Sequence, residues 1–258
     1  MTMLEPLPEA RAEPPTWWGR PVAETRSMLE LARLLVDPVF LARSGVARGD
    51  GRPVVLLPGF LAGDQTLAVM ALWLRRLGYA PSTCGFIANV DCSDRALQRV
   101  ERQVNALHRR GGRRVAVIGH SRGGHFARAM AARAPERVSH AISLGADLRG
   151  LVGVSVLTLA GVAAVRRGLV LTGRTQAERC FTAECACAFA RDYGRAFPSE
   201  RVRLTSIYSK QDGVVRWQGS VVPEADCVQV TGSHVGLACN RKAYRAIAEA
   251  LARPELEG

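Results

Sequence analysis

Lysine is almost missing from this chain. Among its 35 basic residues only Lys210 and Lys242 are lysines, so the net charge of +12 is carried by arginine. A nucleic-acid groove needs its cations along one binding face with aromatic side chains between them. The densest cluster, H-R-R-G-G-R-R at 108–114, instead precedes the apolar run that leads to Ser121, at the far end of that strand from its C-terminal edge. The arginine excess therefore reads as compositional bias, and no nucleic-acid partner is expected.

A membrane-spanning segment is lacking too. The longest uncharged apolar run, Leu151 to Val165, has fifteen residues and is closed by Arg166 and Arg167, whereas a bilayer span needs about 20. The first fifteen residues, MTMLEPLPEARAEPP, hold no apolar run of the kind a secretory signal requires. Residues 1–20 are read as a flexible tail, and a cytoplasmic location is expected. Metal-site spacing is also missing. C-F-T-A-E-C-A-C at 180–187 has neither zinc-finger spacing nor a nearby histidine, so no metal or cofactor is expected. The seven cysteines read as buried thiols, with a Cys84–Cys92 bridge left open.

What is present suits one sizeable globular domain. At 258 residues and 48% hydrophobic, residues 21–258 can bury a full core. Apolar positions from Pro21 to about Ala42 suggest an amphipathic helix broken near Pro38. Short apolar runs predict strands at 52–57, 79–86, 114–118, 138–144, 202–208 and 227–230. Helical patterns lie between them: from Asp64, as N-cap, to Leu77, from Asp91 or Ser93 to about Gly111, from Gly123 to Ala134, and finally from Arg241 to Ala252. Strands alternating with helices predict an α/β fold, a mostly parallel sheet covered on both faces, with chemistry at the strands' C-terminal ends. Residues 149–200 interrupt the alternation as a helical cap insertion.

The stretch V-A-V-I-G-H-S-R-G-G at 115–124 places Ser121 between glycines where a buried strand ends and a helix begins. Gly119 and Gly123 have a physical reason there, because side chains two residues either side of a strained turn would collide. A serine nucleophile needs a base. His120 and His125 sit on the turn itself, His108 lies on the preceding helix, and His140 is inside a strand. His234, in V-T-G-S-H-V-G-L, follows the last strand on a glycine-bearing loop and remains. Its orienting acid is Asp212 in S-K-Q-D-G-V-V, just past a strand, with Asp147 in S-L-G-A-D as the fallback. Donors for a developing oxyanion would be the N–H of Arg122, after the serine, and that of Phe60 in the loop L-L-P-G-F-L-A-G-D.

Together, G-H-S-R-G-G, P-G-F, D-G-V-V and G-S-H-V-G-L resemble the α/β-hydrolase superfamily, particularly its bacterial lipase- and esterase-like members, over roughly residues 52 to 252. The order Ser121, Asp212, His234 is the superfamily's order. S-L-G-A-D-L-R-G at 143–150 is similar to a lipase stretch reading S-L-G-S-P, then a basic residue and glycine. Pro58 departs from the pattern, since many relatives carry histidine there to support the oxyanion loop. The resemblance implies an α/β-hydrolase fold and a serine hydrolase cleaving carboxylic esters through an acyl-serine intermediate. Acyl transfer or amide hydrolysis on the same triad, and a non-catalytic binding protein on the same fold, are the alternatives. The implied partner is a small-molecule or lipid ester, with transient contact to a lipid surface allowed. The apolar first half of the 149–200 insertion is expected to line an acyl pocket, or else to be a core helix.

Overall fold

The computed structural model describes residues 21–41, 46–150, 154–173 and 187–257. The tail expected over residues 1–20 and two parts of the expected cap, 151–153 and 174–186, lie outside them. Six strands run in parallel in the order β2-β1-β3-β4-β5-β6. They are β1 (Pro53–Leu57), β2 (Ala80–Ser82), β3 (Val115–His120), β4 (Val138–Leu144), β5 (Arg203–Ser209) and β6 (Asp226–Val230). The parallel sheet, covered by helices on both faces, is the one that the alternation of strands and helices predicted.

The central strands β1, β3 and β4 are buried at every position, which is why they read as unbroken apolar runs rather than as alternating patterns. The two edges are different. β2 is three residues long, not the eight that its apolar content suggested. Pro81 in its middle offers no N–H, and a strand with a proline is confined to an edge. β6 is mostly exposed and bonds only to β5.

Among the described residues the helices are α1 (Pro21–Glu24), α2 (Ser27–Leu35), α3 (Pro38–Leu41), α4 (Ala68–Arg76), α5 (Ser93–Gly111), α6 (Arg122–Arg133), α7 (Val156–Leu171), α8 (Ala188–Gly194) and α9 (Arg241–Ala252), with three 3₁₀ turns. One core layer joins α2, α3, α4 and α9 to one face of the sheet, around Trp73 and Tyr244. The other joins α5, α6 and α8 to the opposite face, around Val100, Phe126 and Met130.

Two local expectations change. The helix expected over 21–42 is three short helices, and Pro38 opens the third instead of merely breaking the first. Proline costs nothing at a first helical position, where its missing N–H would be unpaired anyway, and Asp37 Oδ1 accepts the Val39 N–H (3.0 Å). Asp64 does not cap its helix either. Its Oδ2 accepts the N–H groups of Gly85 (2.7 Å) and Phe86 (3.2 Å), tying down the loop after β2.

Two arginines of the 108–114 cluster, Arg113 and Arg114, staple backbone carbonyls. Arg114 donates to the carbonyls of Leu256 (2.8 Å), Pro135 (3.0 Å), Val138 (2.5 Å) and Arg201, holding together the sheet edge opposite the functional loops. Cys84, Cys92, Cys187, Cys227 and Cys239 are free thiols, so the Cys84–Cys92 bridge left open by the sequence is not formed.

Candidate active site

β3 delivers Ser121 to the C-terminal edge of the sheet, and α6 starts at the next residue. Between strand and helix the Ser121 backbone adopts φ 53° and ψ −121°, a conformation that costs a non-glycine residue on the order of 1–3 kcal/mol and persists only where its surroundings enforce it. The Ser121 N–H donates to the Leu144 carbonyl (2.8 Å), and its carbonyl accepts from Gly124 (2.8 Å). The flanking glycines are sterically required. A Cβ on Gly119 would fall 2.1 Å from the Gly123 carbonyl, and one on Gly123 2.2 Å from that of Leu57.

Asp212 and His234 meet beside this turn. Asp212 lies in the loop after β5 and His234 in the loop after β6, and adjacent parallel strands bring the two loops together. His234 Nδ1 is 2.7 Å from Asp212 Oδ2, and both side chains are buried. Asp212 Oδ1 accepts the N–H groups of Val214 and Val215, each at 2.8 Å, so the carboxylate's rotation is fixed. Burial works against a charged His234. Asp212 beside it, its hydrogen bond and the nearby Glu24 outweigh that and hold the imidazole above its ordinary value. Gly145, at φ 61°, makes room for the pair. A Cβ there would lie 2.8 Å from Leu237 Cδ1, 3.1 Å from Asp212 Oδ2 and 3.3 Å from His234 Nδ1.

Asp147, the fallback acid, faces elsewhere. Its Oδ1 accepts from Arg149 and Gly150, both at 3.1 Å, and its carboxylate packs against Gly219. The other buried histidines are kept neutral by their surroundings. Burial, with His234 beside it, pushes His120 down to about 4, and burial likewise brings His125 and His140 to about 4. His120 has a supporting place that its position on the turn concealed. Its Nε2 donates to the His234 backbone carbonyl at 2.8 Å, holding the His234 loop against the turn.

The loop after β1 closes on Ser121. A Cβ on Gly59 would sit 3.2 Å from both Ser121 Cβ and His120 Nδ1, so the Phe60 backbone lies next to the serine. The Arg122 N–H opens α6, where first-turn N–H groups have no intrahelical acceptor. The support that Pro58 cannot give comes from Asn89, which no sequence signal marked. Asn89 is fully buried, and its Nδ2 donates to the Pro58 carbonyl at 2.8 Å. The Arg122 guanidinium in turn donates to the carbonyls of Asn89 and Asp91, each at 2.7 Å.

Ser121, His234, His120, Gly59 and Phe60 line one cavity of about 280 Å³. Its apolar wall comes from Met28 and Leu31 on α2, Val69 on α4, and Val235, Ala238 and Cys239 after His234. Among the described residues, none from 154–173 or 187–200 lines this cavity. α8 packs on α6 through Phe189 and Tyr193 instead. α7 is joined to the Asp212 loop by the Ser155 N–H bonding the Val214 carbonyl (2.8 Å), and it buries only Leu169. No helix among the described residues is long and apolar enough to cross a membrane. No described group of three or more metal-ligating side chains converges.

Solved structures with the same fold include a monoacylglycerol lipase from Paleococcus ferrophilus (14% identity, 80% of this chain and 96% of that one, TM-score 0.54). Another is the mature lipase BlEst2 of Bacillus licheniformis (12%, 80% and 94%, 0.54). A third is an extracellular α/β-hydrolase from a Paenibacillus species (14%, 80% and 100%, 0.53). At these identities the likeness is one of fold. No curated protein matches the sequence. Residues 53–222 match the family described as palmitoyl protein thioesterase, a span running from β1 through the Ser121 turn and Asp212, and on that match the chain belongs to the palmitoyl protein thioesterase family within the α/β-hydrolases.

Proposed function

We propose that the protein is a serine hydrolase that cleaves carboxylic esters through an acyl-Ser121 intermediate. The observation that carries this reading is the buried 2.7 Å pair of Asp212 and His234, whose imidazole lines one cavity with the strained Ser121. With Nδ1 bonded to Asp212, the imidazole presents Nε2 as its remaining nitrogen. His234 takes the Ser121 proton as the hydroxyl attacks the acyl carbonyl, then passes it to the departing alcohol or thiol. Water repeats the sequence and frees the acid. Asp212 fixes the tautomer and stabilises the imidazolium. The N–H groups of Phe60 and Arg122 receive the oxyanion; each such donor is worth about 3–4 kcal/mol in the transition state.

A thioester is the second reading, favoured by the family match. A thiolate leaves more readily than an alkoxide, so the same residues suffice, with less demand on His234 as a general acid. The cavity's Met28, Leu31 and Val69 suit an alkyl chain in either case. A fluorophosphonate probe with peptide mapping tests the common core of the proposal: the label should fall on Ser121, and Ser121→Ala should abolish turnover. Labelling elsewhere, or wild-type kcat in Ser121→Ala, would sink it. Matched acyl oxyesters and thioesters, compared by kcat/KM, separate the two substrate readings.

A further inference from the structure

The loop bearing His234 is gripped by two carboxylates from the far end of the chain. Glu30 Oε1 accepts the Ser233 N–H (2.9 Å) and Oε2 the Ser233 hydroxyl (2.7 Å). Glu24 Oε1 accepts the N–H of His234 itself (3.0 Å), and Oε2 that of Val235 (2.7 Å). The Ser233 hydroxyl takes the Gly236 N–H (3.1 Å). Four successive N–H groups, from residue 233 to 236, are thus all engaged at the start of a 3₁₀ turn, where no intrahelical acceptor exists. Glu24 Oε1 also accepts the N–H of Gly213 at 3.1 Å, immediately after Asp212.

One carboxylate therefore spans the acid loop and the base loop. We propose that Glu24 is a positioning residue for the catalytic pair, holding the backbones of Asp212 and His234 in register from more than 180 residues away in sequence. The proposal rests on the Ser121 hydrolase reading and adds a residue to it. Two consequences follow from the placement. Geometrically, loss of Glu24 frees both loops to separate, which misplaces the imidazole without touching the acyl wall. Electrostatically, Glu24 adds a negative charge near His234. The charged and titratable groups around His234 are Asp212 from the β5 loop, Glu24 from α1, Glu30 from α2 through Ser233, and the neutral His120 from β3. Removing one negative charge from that set favours the neutral imidazole, so the pH at which His234 loses its proton falls.

The test uses the full chain and three variants, Glu24→Gln, Glu24→Ala and Glu24→Asp. Wild-type protein is first labelled at Ser121 by the fluorophosphonate, which secures the underlying reading independently. Glu24→Gln should then lower kcat about tenfold with KM within about twofold, and move the acid limb of the kcat/KM profile to lower pH. Glu24→Ala should lose more, and Glu24→Asp should recover part of the rate and the wild-type limb. Wild-type kcat and an unmoved limb in Glu24→Gln would overturn the proposal. So would equal losses in all three variants with a lowered Tm and an unmoved limb in the residual activity, because that pattern describes structural support alone. Failure of Ser121 to label would overturn the parent reading instead.

Discussion

Replacing Asp212 with asparagine keeps the shape of the side chain and changes only what it can offer. The structure fixes how the amide would turn. Oδ1 accepts two backbone N–H groups, from Val214 and Val215 at 2.8 Å each, so the amide oxygen must stay there and the NH₂ must replace Oδ2. That NH₂ then points at His234 Nδ1, now 2.7 Å from Oδ2, and a donor there forces Nδ1 to be the acceptor. The ring proton moves to Nε2. The nitrogen that should receive the serine proton already carries one, and the imidazolium loses its counter-charge. Triads with this change lose about 10⁴ in kcat, about 5.5 kcal/mol of transition-state stabilisation.

The variant should still fold, because every contact of Oδ1 is kept. Asp147→Asn is the matched control: its Oδ1 also accepts two N–H groups, which an amide oxygen can satisfy, and it faces Gly219 rather than His234. Steady-state hydrolysis of a short activated ester, together with the rate of fluorophosphonate labelling, reads both effects. Asp212→Asn should be slow in both, Asp147→Asn close to wild type. An Asp212→Asn enzyme within tenfold of wild type, or a larger loss from Asp147→Asn, would refute the argument, since the orienting acid would then lie on the β4 loop.

The remaining expectations concern the oxyanion loop and the cavity. Asn89→Ala should lower kcat about tenfold by releasing the loop that carries Phe60, and should cost about 1–3 kcal/mol of stability by leaving the buried Pro58 carbonyl unpaired; wild-type kcat with a reduced Tm would show that Asn89 supports the fold only. Leu31→Trp should fill part of the cavity and depress decanoyl ester hydrolysis far more than acetyl ester hydrolysis. Equal effects on both chain lengths would mean that the acyl group binds elsewhere.

The central sheet and the Ser121 turn were legible because their signals are local. Buried parallel strands read as apolar runs, and the elbow's glycines lie two residues from the serine they serve. His234 and Asp212 were reachable by elimination, since few histidines follow a strand and few aspartates sit just past one. Edges misled. The run from Tyr79 to Phe86 is apolar enough for a long strand, yet Pro81 and the fixing of Gly85 and Phe86 by Asp64 leave only three paired residues. Asn89, Glu24 and Gly145 were not legible for a different reason. Each acts on a partner distant in sequence, and its residue type is ordinary in a loop, a helix or a turn.

The cap's composition asked for cover without saying where that cover lies. Its apolar run required cover, and a pocket at the catalytic edge was the natural place to supply it. The cavity beside Ser121 instead takes its wall from α2, whose Met28 and Leu31 face it while Glu30, on the same short helix, holds Ser233. The same helix thus lines the cavity and holds the loop that carries His234. Among the described residues, α7 lines no part of this cavity; it is fastened at Ser155 to the Asp212 loop and leaves Leu157 and Leu171 58% and 80% exposed. Substitutions that alter chain-length preference are therefore expected on α2. Changes on α7 should reach the chemistry only through Val214 and the carboxylate that it helps to hold.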